Sequence, residues 1–198
     1  MTDYPHQSRT SAEKITIGLE RISEAFRVSL WQQSKVIGIS PLQIQILLFI
    51  ESHSKAYATV TYLAREFHMT KPTISEAVKV LVTKEYLKKI PSEIDKRAFS
   101  LELSDRGKKA VEQAQGFSDP VLKSIRKHSP SEQAKFFVML TRILGNLDTA
   151  GLITVQRSCR HCRFFKRDDI RGSDFCQHFD QYLLPRDIRV DCPEFEEG

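Results

Sequence analysis

Along this chain apolar positions recur mostly at helical spacing, with one stretch of strict alternation. Ile15, Leu19, Ile22, Phe26 and Leu30 repeat at steps of four, three, four and four. That stripe predicts a long first helix, capped by Ser11 and ended by Gly38. Ser40-Pro41 offers a cap and a first-turn proline to a second helix. Its Leu42, Ile44, Ile46, Leu47, Leu48 and Ile50 are apolar almost all round, as a core helix requires. Thr59 or Thr61 caps a short third helix with Leu63, Ala64 and Phe67 inward. After a tight turn, Ile74, Ala77, Val78, Leu81 and Val82 form the single buried stripe of a helix opening on Thr70. Phe99, Leu101 and Leu103 alternate with Ser100 and Glu102, the pattern of a half-buried strand. Its expected partner is 86–90, with Pro91 limiting the pairing toward the tip. Asp105 sits well against the dipole of a helix opening at Ser104, and Pro120 kinks or divides that helix. Ser129-Pro-Ser-Glu132 is a capping box for a last helix, which Gly151 ends. Phe136, Phe137, Leu140, Ile143, Leu144 and Leu147 make its stripe, and the two phenylalanines read as packing residues.

Composition narrows the class. The 198 residues are 40% hydrophobic and 28% charged, which suits a soluble domain with an appendage, divided here at 11–150 and 155–198. No apolar run reaches the length of a membrane span, and Met1-Thr-Asp-Tyr-Pro-His lacks a signal-peptide pattern. A cytoplasmic location and no membrane partner are expected. The net charge is +5, but its distribution says more: residues 55–109 hold 12 Lys and Arg against 7 Asp and Glu.

A short helix, a tight turn, a second helix and a charged hairpin form a helix-turn-helix with a wing. The face opposite the buried stripe carries Lys71, Thr73, Ser75, Glu76 and Lys79. Short polar and basic groups there suit base edges and phosphates of double-stranded DNA. Glu76 would be repelled by phosphate, so it either accepts from a cytosine amino group or orients Lys79; a plain solvent-facing glutamate is the bland alternative. Lys96 and Arg97 occupy the hairpin tip, where an arginine has reason to enter a narrow, negative minor groove.

In order and spacing, these pieces resemble the MarR family of bacterial winged-helix regulators over roughly residues 15–147. The resemblance rests on Ser40-Pro-Leu-Gln43, Leu63-Ala64, Thr70-Lys-Pro-Thr-Ile-Ser75, Asp95-Lys-Arg97 and Leu103-Ser-Asp-Arg-Gly107. It implies a mainly α winged helix-turn-helix fold, a homodimer built from the terminal helices, and a palindromic operator. It also implies that Lys71, Pro72, Thr73, Ser75, Glu76 and Lys79 lie at the major groove, and that Asp95 holds Arg97 for the minor groove. A small-molecule effector between the helices is suggested by the resemblance alone. The chain departs from the family at Glu85, where glycine is usual, and in its tail after Gly151.

That tail holds all four cysteines: Cys159, Cys162, Cys176 and Cys192. A C-x-x-C pair plus two more thiols can complete four ligands around one metal, and so small a unit needs such a staple. Zinc and an iron–sulfur cluster both accept four thiolates, and disulfides or free thiols are the remaining readings. Zinc would make the tail a folding or docking module; a cluster or labile thiols would make it a redox sensor. His161 and His178 could replace a cysteine but read as ordinary histidines.

Two other classes stay open: a thiol oxidoreductase using Cys159 and Cys162, and a winged helix that binds protein instead of DNA. The tail lacks the βαβ setting of a redox C-x-x-C, and no catalytic triad or carboxylate pair is evident, so a non-enzyme is expected.

Overall fold

A computed structural model describes residues 10–91, 99–153, 157–168 and 173–198. Helix α1 spans Ser11–Ile37, and its cap is Thr10, one residue earlier than Ser11. The reason is the capping box: only Thr10 has a glutamate three residues on, and Glu13 accepts from the Thr10 N–H at 2.7 Å. Gly38 ends the helix at φ +78°, its N–H bonded to Ser34 O. Helix α2, Pro41–Ser52, then leaves at 92° to α1. Its capping box joins Ser40 to Gln43.

Helices α3 (Val60–Glu66) and α4 (Lys71–Thr83) form the helix-turn-helix, capped by Thr59 and Thr70. Strands β1 (Leu87–Pro91) and β2 (Phe99–Leu103) form an antiparallel hairpin in which Leu87 faces Leu103 and Pro91 faces Phe99. The first strand lies one residue later than expected, because Tyr86 is still engaged with α4: its N–H bonds Leu81 O at 2.8 Å. On the open side of β2, Leu101 N–H bonds Ala58 O.

The core lies between α2, α3, α4 and the hairpin. Ile44, Ile46, Leu47, Leu63, Ile74, Val78, Leu81, Leu87 and Leu101 are almost completely buried, each worth about 1.5–3 kcal/mol relative to exposure. Ile74, Val78 and Leu81 are the buried edge of the stripe predicted for α4.

Helix α5 is Asp105–Ala114, capped by Ser104. The break expected near Pro120 is real: a 3-10 turn over Gln115–Ser118 precedes α6, Asp119–Ile125. Gly107 fits against the backbone just before β1 only because it lacks a side chain, since a Cβ there would lie 2.2 Å from Tyr86 O. Helix α7, Pro130–Thr149, opens with the Ser129–Glu132 capping box.

The terminal helices behave differently from the core. Ile15, Ile22, Val28, Trp31 and Val36 of α1 are exposed, as are Phe136, Met139 and Leu147 of α7. This chain does not itself bury Phe136, contrary to its reading as a packed residue. Among the described residues, no single helix is long and apolar enough to cross a membrane.

The tail folds as a three-stranded antiparallel sheet of β3 (Phe165–Asp168), β4 (Ser173–Cys176) and β5 (Gln181–Leu183). Its core is small: Cys159, Leu183 and Ile188, with Phe165 and Cys176 against them.

Candidate nucleic-acid interface and cysteine cluster

Helix α4 presents its polar side as the apolar period requires. Lys71, Pro72, Thr73, Ser75, Glu76 and Lys79 are all exposed, over a floor of Ile74 and Val78. The Thr70 hydroxyl accepts from Thr73 N–H and lies 2.8 Å from the Thr73 hydroxyl, fixing the first turn. The helix N-terminus and Lys71 together make this end attractive to phosphate. Glu76 stands 3.8 Å from Lys79, with both side chains mostly exposed. A pair so open to water contributes little to stability and leaves Lys79 free to swing.

The hairpin adds Lys88 and Lys89, both exposed on β1, which sequence reading did not single out. Lys89 Nζ lies 4.4 Å from the Phe99 ring centre, which steadies its stem. Asp95, Lys96 and Arg97 lie outside the described residues.

The turn after α4 accommodates Glu85 in place of glycine. Its backbone is left-handed, φ +61°. Glu85 N–H bonds Val82 O, and Tyr86 N–H bonds Leu81 O, so the helix receives its usual closing bonds despite the side chain. The Ser104 hydroxyl, at the cap of α5, donates to Glu85 O and holds the strained residue.

In the tail, backbone pairing brings the cysteines together. Cys159 N–H bonds Arg189 O and Cys192 N–H bonds Arg157 O, setting those two segments side by side. Phe165 N–H bonds Cys162 O, and Phe165 pairs with Cys176 across β3 and β4. All four thiols therefore line one cavity, with Phe164, His178 and Arg189 among its other walls. None is in a disulfide. Arg189 donates its N–H to Cys159 Sγ at 3.2 Å, and its guanidinium stands 3.7 Å from Cys192 Sγ. Burial pushes the Cys159 thiol above its ordinary value, against that donated hydrogen bond. As placed, however, no group of three or more His, Cys, Asp or Glu side chains among the described residues can hold a metal ion. His161 is engaged elsewhere, with Ser158 at 2.9 Å and with Asp148 of α7 at 3.0 Å.

Sequence reading missed how the tail is fastened. Arg157 is buried, and its guanidinium forks onto Glu66, the last residue of α3. Its Nε donates to Asp191 at 2.7 Å, and its plane lies 4.9 Å over the Phe49 ring. Asp191 also meets His53 Nε2 at 3.1 Å, and Tyr57 donates its hydroxyl to Phe195 O. Burial alone would lower the Arg157 pKa, but the hydrogen bonds it donates to Glu66 and Asp191 more than reverse it. Asp191 is the counterpart: burial would raise it, while His53 and Arg157 hold it below the usual carboxylate range. No periodicity marks such a group, because its partners lie 34 and 91 residues away.

The model of the MarR family matches residues 37–98, from the end of α1 to the residue before β2. No curated protein matches. Among solved structures, the S. aureus MepR–DNA complex aligns at 21% identity and TM-score 0.57, covering 71% of this chain and 100% of that one. The transcriptional regulator PA3341 aligns at 23% identity and TM-score 0.57, covering 68% of this chain and 98% of that one. At such identities the likeness is one of fold, and it leaves close to a third of this chain unmatched. The chain thus carries, over residues 37–98, a segment similar to the MarR family, on a fold it shares with these two structures.

Proposed function

We propose that the protein is a transcriptional regulator that binds double-stranded DNA sequence-specifically, as a homodimer on a palindromic operator, and is not an enzyme. One observation carries the reading: the exposed Lys71–Lys79 face of α4 stands on a fully buried apolar floor, in a helix-turn-helix followed by a basic hairpin. In this reading Lys71, Pro72, Thr73, Ser75, Glu76 and Lys79 meet the major groove. Arg97, set by Asp95 and flanked by Lys96, reaches the minor groove. A fold shared with MepR, whose complex with DNA is solved, supports this. The uncovered stripes of α1 and α7 support a second copy, since single chains rarely leave so many large apolar groups in water.

The test is a salt titration of binding to a duplex selected from a random pool. Lys71→Ala and Arg97→Ala should each weaken binding and reduce the slope of log affinity against log salt by about 1. Unchanged affinity and slope in both would overturn the interface. Light scattering should return twice the 22.8 kDa chain mass; a monomer would overturn the dimer.

The same reading makes Cys159, Cys162, Cys176 and Cys192 the ligands of one thiophilic metal, with Zn²⁺ as the ion and an iron–sulfur cluster as the alternative. The support is their convergence on one cavity and the Arg189 donors aimed at sulfur.

A further inference from the structure

The tail touches both the helix-turn-helix and the last helix, through Arg157 and His161. We propose that it is a brace: it fixes the angle between α7 and the helix-turn-helix, so that the two reading helices of a dimer accept one spacing of operator half-sites. The proposal rests on the dimeric regulator reading above.

One arm of the brace is the Arg157 clamp on Glu66 at the end of α3. Beside it Asp191 meets His53, and Phe195 O accepts the Tyr57 hydroxyl at 2.7 Å. The other arm is His161. Its Nε2 stands 3.0 Å from Asp148 in the last turn of α7, and its Nδ1 lies 2.9 Å from the Ser158 hydroxyl. A single 3-10 turn, Cys159–His161, joins the two arms. It is closed by His161 N–H on Ser158 O and Cys162 N–H on Cys159 O, which leaves little play between them. Both grips are closed in the folded chain, so the brace needs no ligand and no movement.

Helix α7 has few other fastenings. None of its residues is buried, so little apolar area fixes its direction. At about 3.6 residues per turn its positions divide into two faces. Val138, Thr141, Gly145 and Asp148 fall on one side. The first three line a cavity of about 170 Å³, whose far wall is Pro185, Ile188 and Val190 of the tail. Phe136, Met139 and Leu147 fall on the opposite side and stay exposed. The tail therefore backs α7 and leaves its apolar stripe open to a second copy.

The consequence is geometric. One extra base pair between half-sites moves the second by about 3.4 Å and turns it by about 35° around the duplex. A dimer whose α7 can swing follows that displacement. One braced against α3 does not, and it loses contacts at one half-site.

The test uses the full chain with three duplexes: the selected operator, the same operator with one base pair inserted between its half-sites, and a single half-site. The wild-type chain should prefer the selected spacing about a hundredfold. Arg157→Ala and Asp148→Ala should each cut that preference about tenfold, with binding to the single half-site unchanged. Because the arms act in series, the double variant should fall no further than either single one. A wild-type preference near one, or a preference preserved in either variant, overturns the brace. So does an equal loss on the single half-site, since the contacts would then serve only the folding of the reading unit. Additive losses in the double variant overturn the series arrangement. Should Arg157→Ala show no main unfolding transition, Glu66→Gln takes its place. If no form binds duplex, or the wild-type chain is a monomer, the regulator reading fails and amide hydrogen exchange over 145–149 judges the brace alone. Arg157→Ala should speed that exchange from the far end of the brace; equal rates overturn the proposal.

Discussion

The winged-helix unit buries nine large aliphatic side chains almost completely, drawn from α2, α3, α4 and both strands of the hairpin. The tail buries Cys159, Leu183 and Ile188 around its sheet, and fastens itself outward through Arg157, Asp191 and His53. The first unit is held by area removed from water, which is non-directional and spread over many residues. The second has little such area, so it depends on a few directional contacts. Damage should accordingly be distributed in one unit and concentrated in the other.

The largest test compares the two cores directly. Leu81→Ala should cost about 2–5 kcal/mol in denaturant unfolding, and Leu183→Ala should leave that main transition in place. If Leu183→Ala lowers the main transition as much as Leu81→Ala does, the two units are one cooperative body. Next comes Arg157→Ala, which strands Glu66 and Asp191. Breaking a buried pair costs about 3–5 kcal/mol, and the low end is expected because the Asp191 side chain is 53% exposed. Limited proteolysis should then cut the tail first, whereas uniform cleavage would contradict a clamp.

A smaller effect of opposite sign sharpens the account of the winged-helix unit. Glu85→Gly should raise stability by about 0.5–1 kcal/mol, since glycine adopts φ +61° without strain; a loss of stability would mean that the Glu85 side chain has a role of its own. The least change is expected at the α7 cap. Hydrogen bonds from Ser129 hold the Glu132 carboxyl below its ordinary value. A depressed folded value stabilises above the unfolded one, about 4.3, and that contribution is lost as pH falls through the folded value. Glu132→Gln should therefore remove a small contribution at neutral pH and leave stability below the folded value unchanged, which flattens the acid side of the profile.

Much of the winged-helix unit was legible in sequence because its signals are local. The caps at Ser40, Thr59, Thr70, Ser104 and Ser129 act within three residues, and the Ile74–Val82 stripe is a period of one helix. Even the misplaced cap at Ser11 was a one-residue error within a local rule. Lys88 and Lys89 were passed over because exposed basic residues on a strand carry no spacing that separates a DNA contact from ordinary solvation.

What the sequence determined alone was the order of elements, the polar face of α4, and a cluster of thiols at one end of the chain. Only the tertiary structure decided that Gly107 must yield to Tyr86 O, that α1 and α7 keep their apolar stripes uncovered, and that Arg157 joins the thiol cluster to α3. The division has one physical cause. Periodicity and capping are written into neighbours three or four residues apart, while an ion pair across 91 residues is set by how the whole chain closes and leaves no pattern in the sequence.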